Sequence, residues 1–104
     1  MPKKAYVEEN AASMYNAILK LKDPSECAKL FKDMCTNQEL AAIAQRYAVA
    51  KLLNENAKYA EIVERTGAST ATISRVKRSL ENGEGYEIVF TRLNETRGRK
   101  KKTD

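Results

Sequence analysis

The feature that most constrains this chain lies between Tyr59 and Leu80, where two runs of helical periodicity are separated by one glycine. Gly67 can adopt a positive φ angle at no steric cost, so it ends the first run. Ser69 follows as a good N-cap for a second helix over residues 70–81. The sequence therefore predicts two short helices joined by a tight turn.

These two helices have the outline of a helix-turn-helix. With Tyr59 as the first position of a twenty-residue motif, apolar side chains fall where the two helices pack together: Ile62, Ala68, Ile73 and Val76. Val63 is also predicted to point inward. The outward positions of the second helix carry hydroxyls and cations but no acid. A plain αα-corner inside a helical domain is the alternative, and it does not account for that outward face.

A helix-turn-helix binds DNA by inserting the N-terminal turn of its second helix into the major groove, while cations neutralise phosphates. Short hydroxyls near that turn can approach base edges or phosphates. The predicted DNA-binding residues are Lys58, Tyr59, Ser69, Thr70, Ala71, Thr72, Ser74, Arg75, Lys77 and Arg78. Lys58 and Tyr59 either contact phosphate or simply face solvent.

The rest of the chain also reads as helix, and about six helices make an all-α domain over residues 1–94. A first helix from about Ala5 to Leu21 carries an apolar stripe that suits a core or a dimer interface. Capping signals start the next two helices, with Asp23, Pro24 and Glu26 before one and Thr36 and Glu39 before the other. The last predicted helix carries Tyr86, Val89, Phe90 and Leu93.

Composition excludes several classes of protein. The 104 residues include no His, which removes the commonest general base and the commonest metal ligand. Cys27 and Cys35 cannot close a four-ligand structural zinc site without carboxylates, so we expect free thiols and no metal or cofactor. No apolar run approaches the roughly 20 residues of a membrane span, and the N-terminus has no signal-peptide core. We expect a cytoplasmic protein that is not an enzyme.

Positive charge is concentrated in two places. The net charge is +5, but residues 58–80 hold five basic and two acidic side chains, and residues 97–104 hold five basic and one acidic. An anionic partner, double-stranded DNA, fits the first cluster. The second cluster belongs to a predicted disordered tail, 95–104, which is either a solvated end or a non-specific DNA arm.

Three strings carry a family resemblance: LAAIAQRYAVAKLL, YAEIVERTGAS and ATISRVKRSL. They resemble the tryptophan repressor family, in particular its YerC/YecD-like branch, and the order of helices agrees over most of residues 5–93. The resemblance implies an intertwined, all-helical homodimer that binds operator DNA through paired helix-turn-helix units. It also implies repression rather than activation.

The resemblance further implies a site for an amino-acid corepressor. The positions that match the family's polar anchors are Thr36, Arg46, Arg75 and Ser79. The chain departs from the family at Val76, where the repressor has a glycine that leaves space for the indole ring. We therefore expect no tryptophan binding. A salt bridge for Arg46 and a phosphate contact for Arg75 are the preferred alternatives to ligand contact.

The sequence thus predicts a dimeric, sequence-specific DNA-binding transcription regulator that works without tryptophan. Two alternatives stay open. One is a regulator with a different small-molecule effector. The other is a protein-interaction module that keeps the fold and presents helix 84–93, with Tyr86, Val89 and Phe90, to a partner.

Overall fold

A computed structural model describes the backbone of residues 2–103 and the side chains of residues 3–96. Within that range the secondary structure is entirely helical, as predicted. The six helices are α1 (Pro2–Ile18), α2 (Pro24–Met34), α3 (Asn37–Asn54), α4 (Tyr59–Thr66), α5 (Thr70–Asn82) and α6 (Gly85–Thr103). The chain divides into two compact units, Met1–Leu40 and Ala41–Asp104.

The first unit has no core of its own. Among its described residues, 3–40, none is buried, and its apolar side chains are exposed or half-buried. On and just after α1, the exposed fraction reaches 67% for Tyr6, 61% for Tyr15 and 80% for Leu19. Cys27 and Cys35 are free thiols and half-buried. On the apolar stripe of α1, Val7 is 66% exposed whereas Ala11 and Ile18 are half-buried, so the stripe is only partly covered.

The second unit contains the hydrophobic core. Its buried side chains come from the end of α3, from α4, α5 and the turn between them, and from α6: Val49, Ala50, Leu52, Ile62, Ala68, Ile73, Val76 and Phe90. Tyr86 and Phe90 stack with ring centroids 6.0 Å apart, and Phe90 also meets Tyr47 at 5.9 Å. Burial of these groups provides the main driving force for folding of this unit.

The capping signals form as the sequence predicts, with one change of partner. The backbone N–H of Glu26 donates to Oδ1 of Asp23 at 2.9 Å, but the Glu26 carboxylate accepts from Lys22 rather than from the cap residue. At α3 the capping box is complete, because Thr36 and Glu39 exchange both hydrogen bonds, at 2.8 and 3.1 Å. Hydrogen bonds from the backbone and side chain of Thr36 hold the pKa of Glu39 below its usual value.

Two predicted boundaries shift. Helix α1 begins and ends about three residues earlier than predicted, at Pro2 and Ile18. Its last turn tightens through hydrogen bonds such as that from the N–H of Lys20 to the carbonyl of Ala17. Pro24 disfavours helical geometry at the residue before it, so α1 and α2 remain separate helices.

At the C-terminus the backbone of α6 is helical through Thr103, where the sequence predicts a tail without structure. Lys and Arg are good helix formers, cations suit the C-terminal end of a helix, and no proline interrupts this stretch. The side chains of the tail cations lie outside the described range: Arg97, Arg99, Lys100, Lys101 and Lys102. No helix in the described part of the chain is long and apolar enough to cross a membrane.

Candidate nucleic-acid interface

The helix-turn-helix forms where the sequence predicts it. Helix α4 ends at Gly67, which has φ +70° and whose N–H donates to the carbonyl of Val63. Ser69 caps α5. The four predicted packing positions are all buried: Ile62, Ala68, Ile73 and Val76. Val63, which was predicted to point inward, is instead 39% exposed, since α4 buries only one narrow stripe.

The outward side of the motif is exposed and cationic. Nine of the ten predicted DNA-binding residues are exposed: Lys58, Tyr59, Ser69, Thr70, Ala71, Ser74, Arg75, Lys77 and Arg78. The tenth, Thr72, is half-buried. No acidic side chain occurs between Ser69 and Leu80. This face could bind a polyanion without like-charge repulsion from its own helix.

Two of the predicted contact residues have a structural task at the start of α5. The Ser69 hydroxyl accepts from the backbone N–H of Thr72 at 3.1 Å and lies 3.1 Å from the Thr72 hydroxyl. The first of these bonds satisfies one orphan backbone donor of the first turn. The hydroxyls of Thr70 and Ser74 lie on the exposed side of the helix instead.

Lys77 and Tyr59 come together across the two helices. The Lys77 Nζ lies 5.9 Å from the centroid of the Tyr59 ring, which is within the range of a cation–π contact. The contact joins the first residue of α4 to the middle of α5. Sequence reasoning had treated the two residues as separate DNA contacts, because periodicity within one helix carries no signal for a contact between two.

Sequence reasoning also missed Gln45, which connects α3 to the turn of the motif. Its Nε2 donates to the backbone carbonyl of Thr66 at 3.0 Å. The Thr66 hydroxyl donates to the carbonyl of Ile62 at 2.7 Å and accepts from the N–H of Ala68 at 3.1 Å. The available signal is a glutamine whose neighbours three and four residues away on the helix are all apolar: Ala41, Ala42, Ala48 and Val49.

The candidate ligand residues are exposed, make local hydrogen bonds or belong to the core. Thr36 belongs to the first unit and caps α3. In the second unit, Arg46 is exposed and the Ser79 hydroxyl lies 3.4 Å from the carbonyl of Arg75. Val76 is 2% exposed and belongs to the core. A largely apolar surface pocket of about 460 Å³ is lined by Tyr47, Ser79, Gly83, Gly85, Tyr86 and Val89.

The surface proposed for a protein-interaction module is not formed as predicted. Of its three apolar residues, Phe90 is buried and Tyr86 is half-buried, both stacked within the second unit. Only Val89 is exposed. The physical reason is that Phe90 packs in the core and meets Tyr47 of α3, a tertiary contact that the periodicity of a single helix does not specify.

The comparisons with known proteins define the class. The family profile described as Trp repressor protein matches residues 9–94, so the chain belongs to the Trp repressor family, a family of DNA-binding transcription regulators. The uncharacterized protein YerC of Bacillus subtilis is 50% identical over 84 residues, which are 80% of this chain and 81% of that protein.

Two solved structures are similar in fold and sequence. A TrpR-like protein of Eubacterium eligens has a TM-score of 0.78 and 48% identity, over 83% of this chain and 90% of that one. A candidate Trp repressor of Staphylococcus aureus has a TM-score of 0.78 and 42% identity, over 83% and 87%. These likenesses confirm the predicted family and its all-α fold.

Proposed function

We propose that this protein is a sequence-specific DNA-binding transcription regulator that acts as a homodimer, with repression as its mode of action. The observation that carries the proposal is the outward face of α5, which exposes Thr70, Ser74, Arg75, Lys77 and Arg78. The opposite face of the same helix is anchored in the core. A helix held from one side and cationic on the other suits insertion into the major groove.

Dimer formation is supported by the uncovered apolar side chains. No described side chain of the first unit is fully buried, and the second unit leaves Ile88, Val89 and Leu93 of α6 close to half exposed. Exposed apolar surface on this scale is typical of an interface between chains. A two-fold dimer would present its two recognition helices about 34–36 Å apart and would favour a palindromic site.

Tryptophan is not the corepressor in this proposal. The Val76 side chain occupies the position at which the family's repressor leaves space for an indole ring, and it is buried among core residues. Close packing leaves no space there for a ring without displacing core atoms. Arg75 keeps the alternative role of phosphate contact, whereas Arg46 is exposed without an ion pair among the described residues.

Selection of bound sequences from random duplex DNA tests the proposal directly. We expect a palindromic consensus. The affinity should fall steeply with salt, and each phosphate contacted should add about 0.9 to the slope of log affinity against log salt concentration. Failure to bind any duplex at low ionic strength would overturn the proposal.

Arg75→Ala then tests whether α5 reads the site. The variant should bind the selected duplex more weakly, because it loses a cation assigned to phosphate contact, and the slope of log affinity against log salt concentration should fall by about 0.9. Arg65→Ala is the matched control, because Arg65 is exposed on α4 and paired with Glu61 at 3.2 Å. Equal affinities of the two variants would remove α5 from the interface.

A further inference from the structure

The Gln45 hydrogen bond differs in kind from the others made by side chains. Among the side-chain hydrogen bonds of the described residues, the remaining ones join positions at most four residues apart, whereas Gln45 and Thr66 are 21 residues apart. Gln45 lies on α3, and Thr66 is the last residue of α4. The bond therefore joins the helix below the motif to the turn of the motif itself.

The acceptor is a group that a helix leaves open. The last carbonyls of a helix have no partner within it, and the carbonyl of Thr66 is one of these. Gln45 supplies the missing donor from outside the motif. Because both residues are half-buried, water competes weakly for this carbonyl, and loss of the donor would leave a poorly solvated acceptor.

The position of this bond bears on the recognition helix. Ser69, the N-cap of α5, follows Thr66 by three residues, and the intervening turn is fixed by the left-handed Gly67 and by the Thr66 hydroxyl bond to Ala68. Apolar contacts such as those of Ile62 and Ile73 resist separation but are non-directional. The hydrogen bond adds the directional restraint that a packed core lacks.

We propose that Gln45 is a positioning residue for DNA recognition: it fixes the turn of the helix-turn-helix on α3 and so sets the orientation of α5 without a bound corepressor. This inference rests on the proposed function. Loss of the bond lowers the population of the orientation that reads bases, and the apparent affinity for a specific site falls by the same fraction. Non-specific phosphate binding does not depend on that orientation in the same way.

Gln45→Met tests the inference because it keeps the length of the side chain and removes its donor. Gln38→Met is the matched control, since Gln38 is an exposed glutamine on the same helix. We expect Gln45→Met to weaken binding to the selected duplex about five- to tenfold relative to the control, from the loss of about one hydrogen bond. Binding to an unrelated duplex and the salt slope should stay the same.

Amide hydrogen exchange on the free protein supplies a readout that needs no DNA. Gly67 and Ala68 should exchange faster in Gln45→Met than in Gln38→Met, while Val49 in the core keeps its protection. Uniform loss of protection, or a parallel loss of specific and non-specific binding, would overturn the positioning role. If Gln45→Met does not fold, Gln45→Asn replaces it, because it keeps the amide but is too short to reach Thr66.

The two measurements also separate this inference from the proposed function. If neither the unmodified protein nor the Gln38 control binds any duplex, the proposed function fails while the exchange result still reports on the bond. If both bind tightly and Gln45→Met binds equally well, the positioning role fails and the regulator remains.

Discussion

Single residues decide how the helices of this chain end. Gly67 ends α4 in the left-handed conformation, as its type predicts. Asn56 does the same after α3, with φ +64°, and it is the only non-glycine residue with positive φ in the described backbone. The N–H of Asn56 donates to the carbonyl of Leu53, and that of Ala57 to the carbonyl of Leu52, which is a Schellman ending.

Substitution at Asn56 should separate backbone strain from side-chain effects. We expect Asn56→Ala to lower the free energy of unfolding by about 1 kcal/mol, because a β-carbon is disfavoured in the left-handed region and Ala lacks the polar group that offsets it. Asn56→Gly should be neutral or stabilising. Urea denaturation of the three proteins measures the difference, and an Ala variant as stable as the Gly variant would contradict the argument.

Val76 is the residue on which the effector question depends. Calorimetry with tryptophan should show no heat of binding to the unmodified protein, and affinity for the selected duplex should not change when tryptophan is added. The reason is that Val76 fills its position in the core. A micromolar binding signal would show that the valine does not block a ring. The same titration with other amino acids tests for a different effector.

Among the elements, α5 combines a structural and a recognition role in one turn. Ser69 caps it through the N–H of Thr72, and the same turn is the part predicted to enter the groove. At Gly83, the C-cap of α5, there is no space for a side chain, because a β-carbon there would lie 2.7 Å from the carbonyl oxygen of Ser79. Both ends of the recognition helix are therefore defined by local backbone requirements.

Two substitutions at Ser69 should distinguish its two roles. Ser69→Ala removes the cap and should lower the free energy of unfolding by about 1 kcal/mol. Ser69→Asp keeps a good cap but adds a negative charge where phosphates approach, so stability should be retained while DNA affinity falls further than in the alanine variant. Denaturation and binding at one fixed salt concentration give both values. Unchanged DNA affinity in Ser69→Asp would mean that this turn stays away from DNA.

At the scale of the whole molecule, the two units differ in how much of their apolar surface is buried. The first unit contains α1 and α2 and no buried side chain among its described residues, whereas the second unit has a compact core. A helix face of this kind becomes stable when another surface covers it. The net charge of +5 per chain would double in a dimer. The cations of α5 lie on the outward face of that helix.

A measurement of the oligomeric state in solution tests the proposed dimer. Light scattering at micromolar concentration should give twice the 11.7 kDa mass of one chain. Tyr15→Glu should shift the mass toward that of a single chain, because it introduces a charge into the apolar stripe of α1. Asn16→Glu, at the next and polar position, is the control and should remain a dimer. A single-chain mass for the unmodified protein would contradict the dimer.

The sequence by itself determined the helices, their caps, the glycine turn and the buried positions of the helix-turn-helix, because each depends on periodicity or on a residue's local backbone preference. It also identified the family, through strings that include the turn and α5. Only the tertiary structure decided the Gln45 bond to Thr66, the contact of Lys77 with Tyr59 and the packing of Phe90 against Tyr47. Those contacts join residues distant along the chain, and their partners are chosen by packing between helices rather than by any pattern within one.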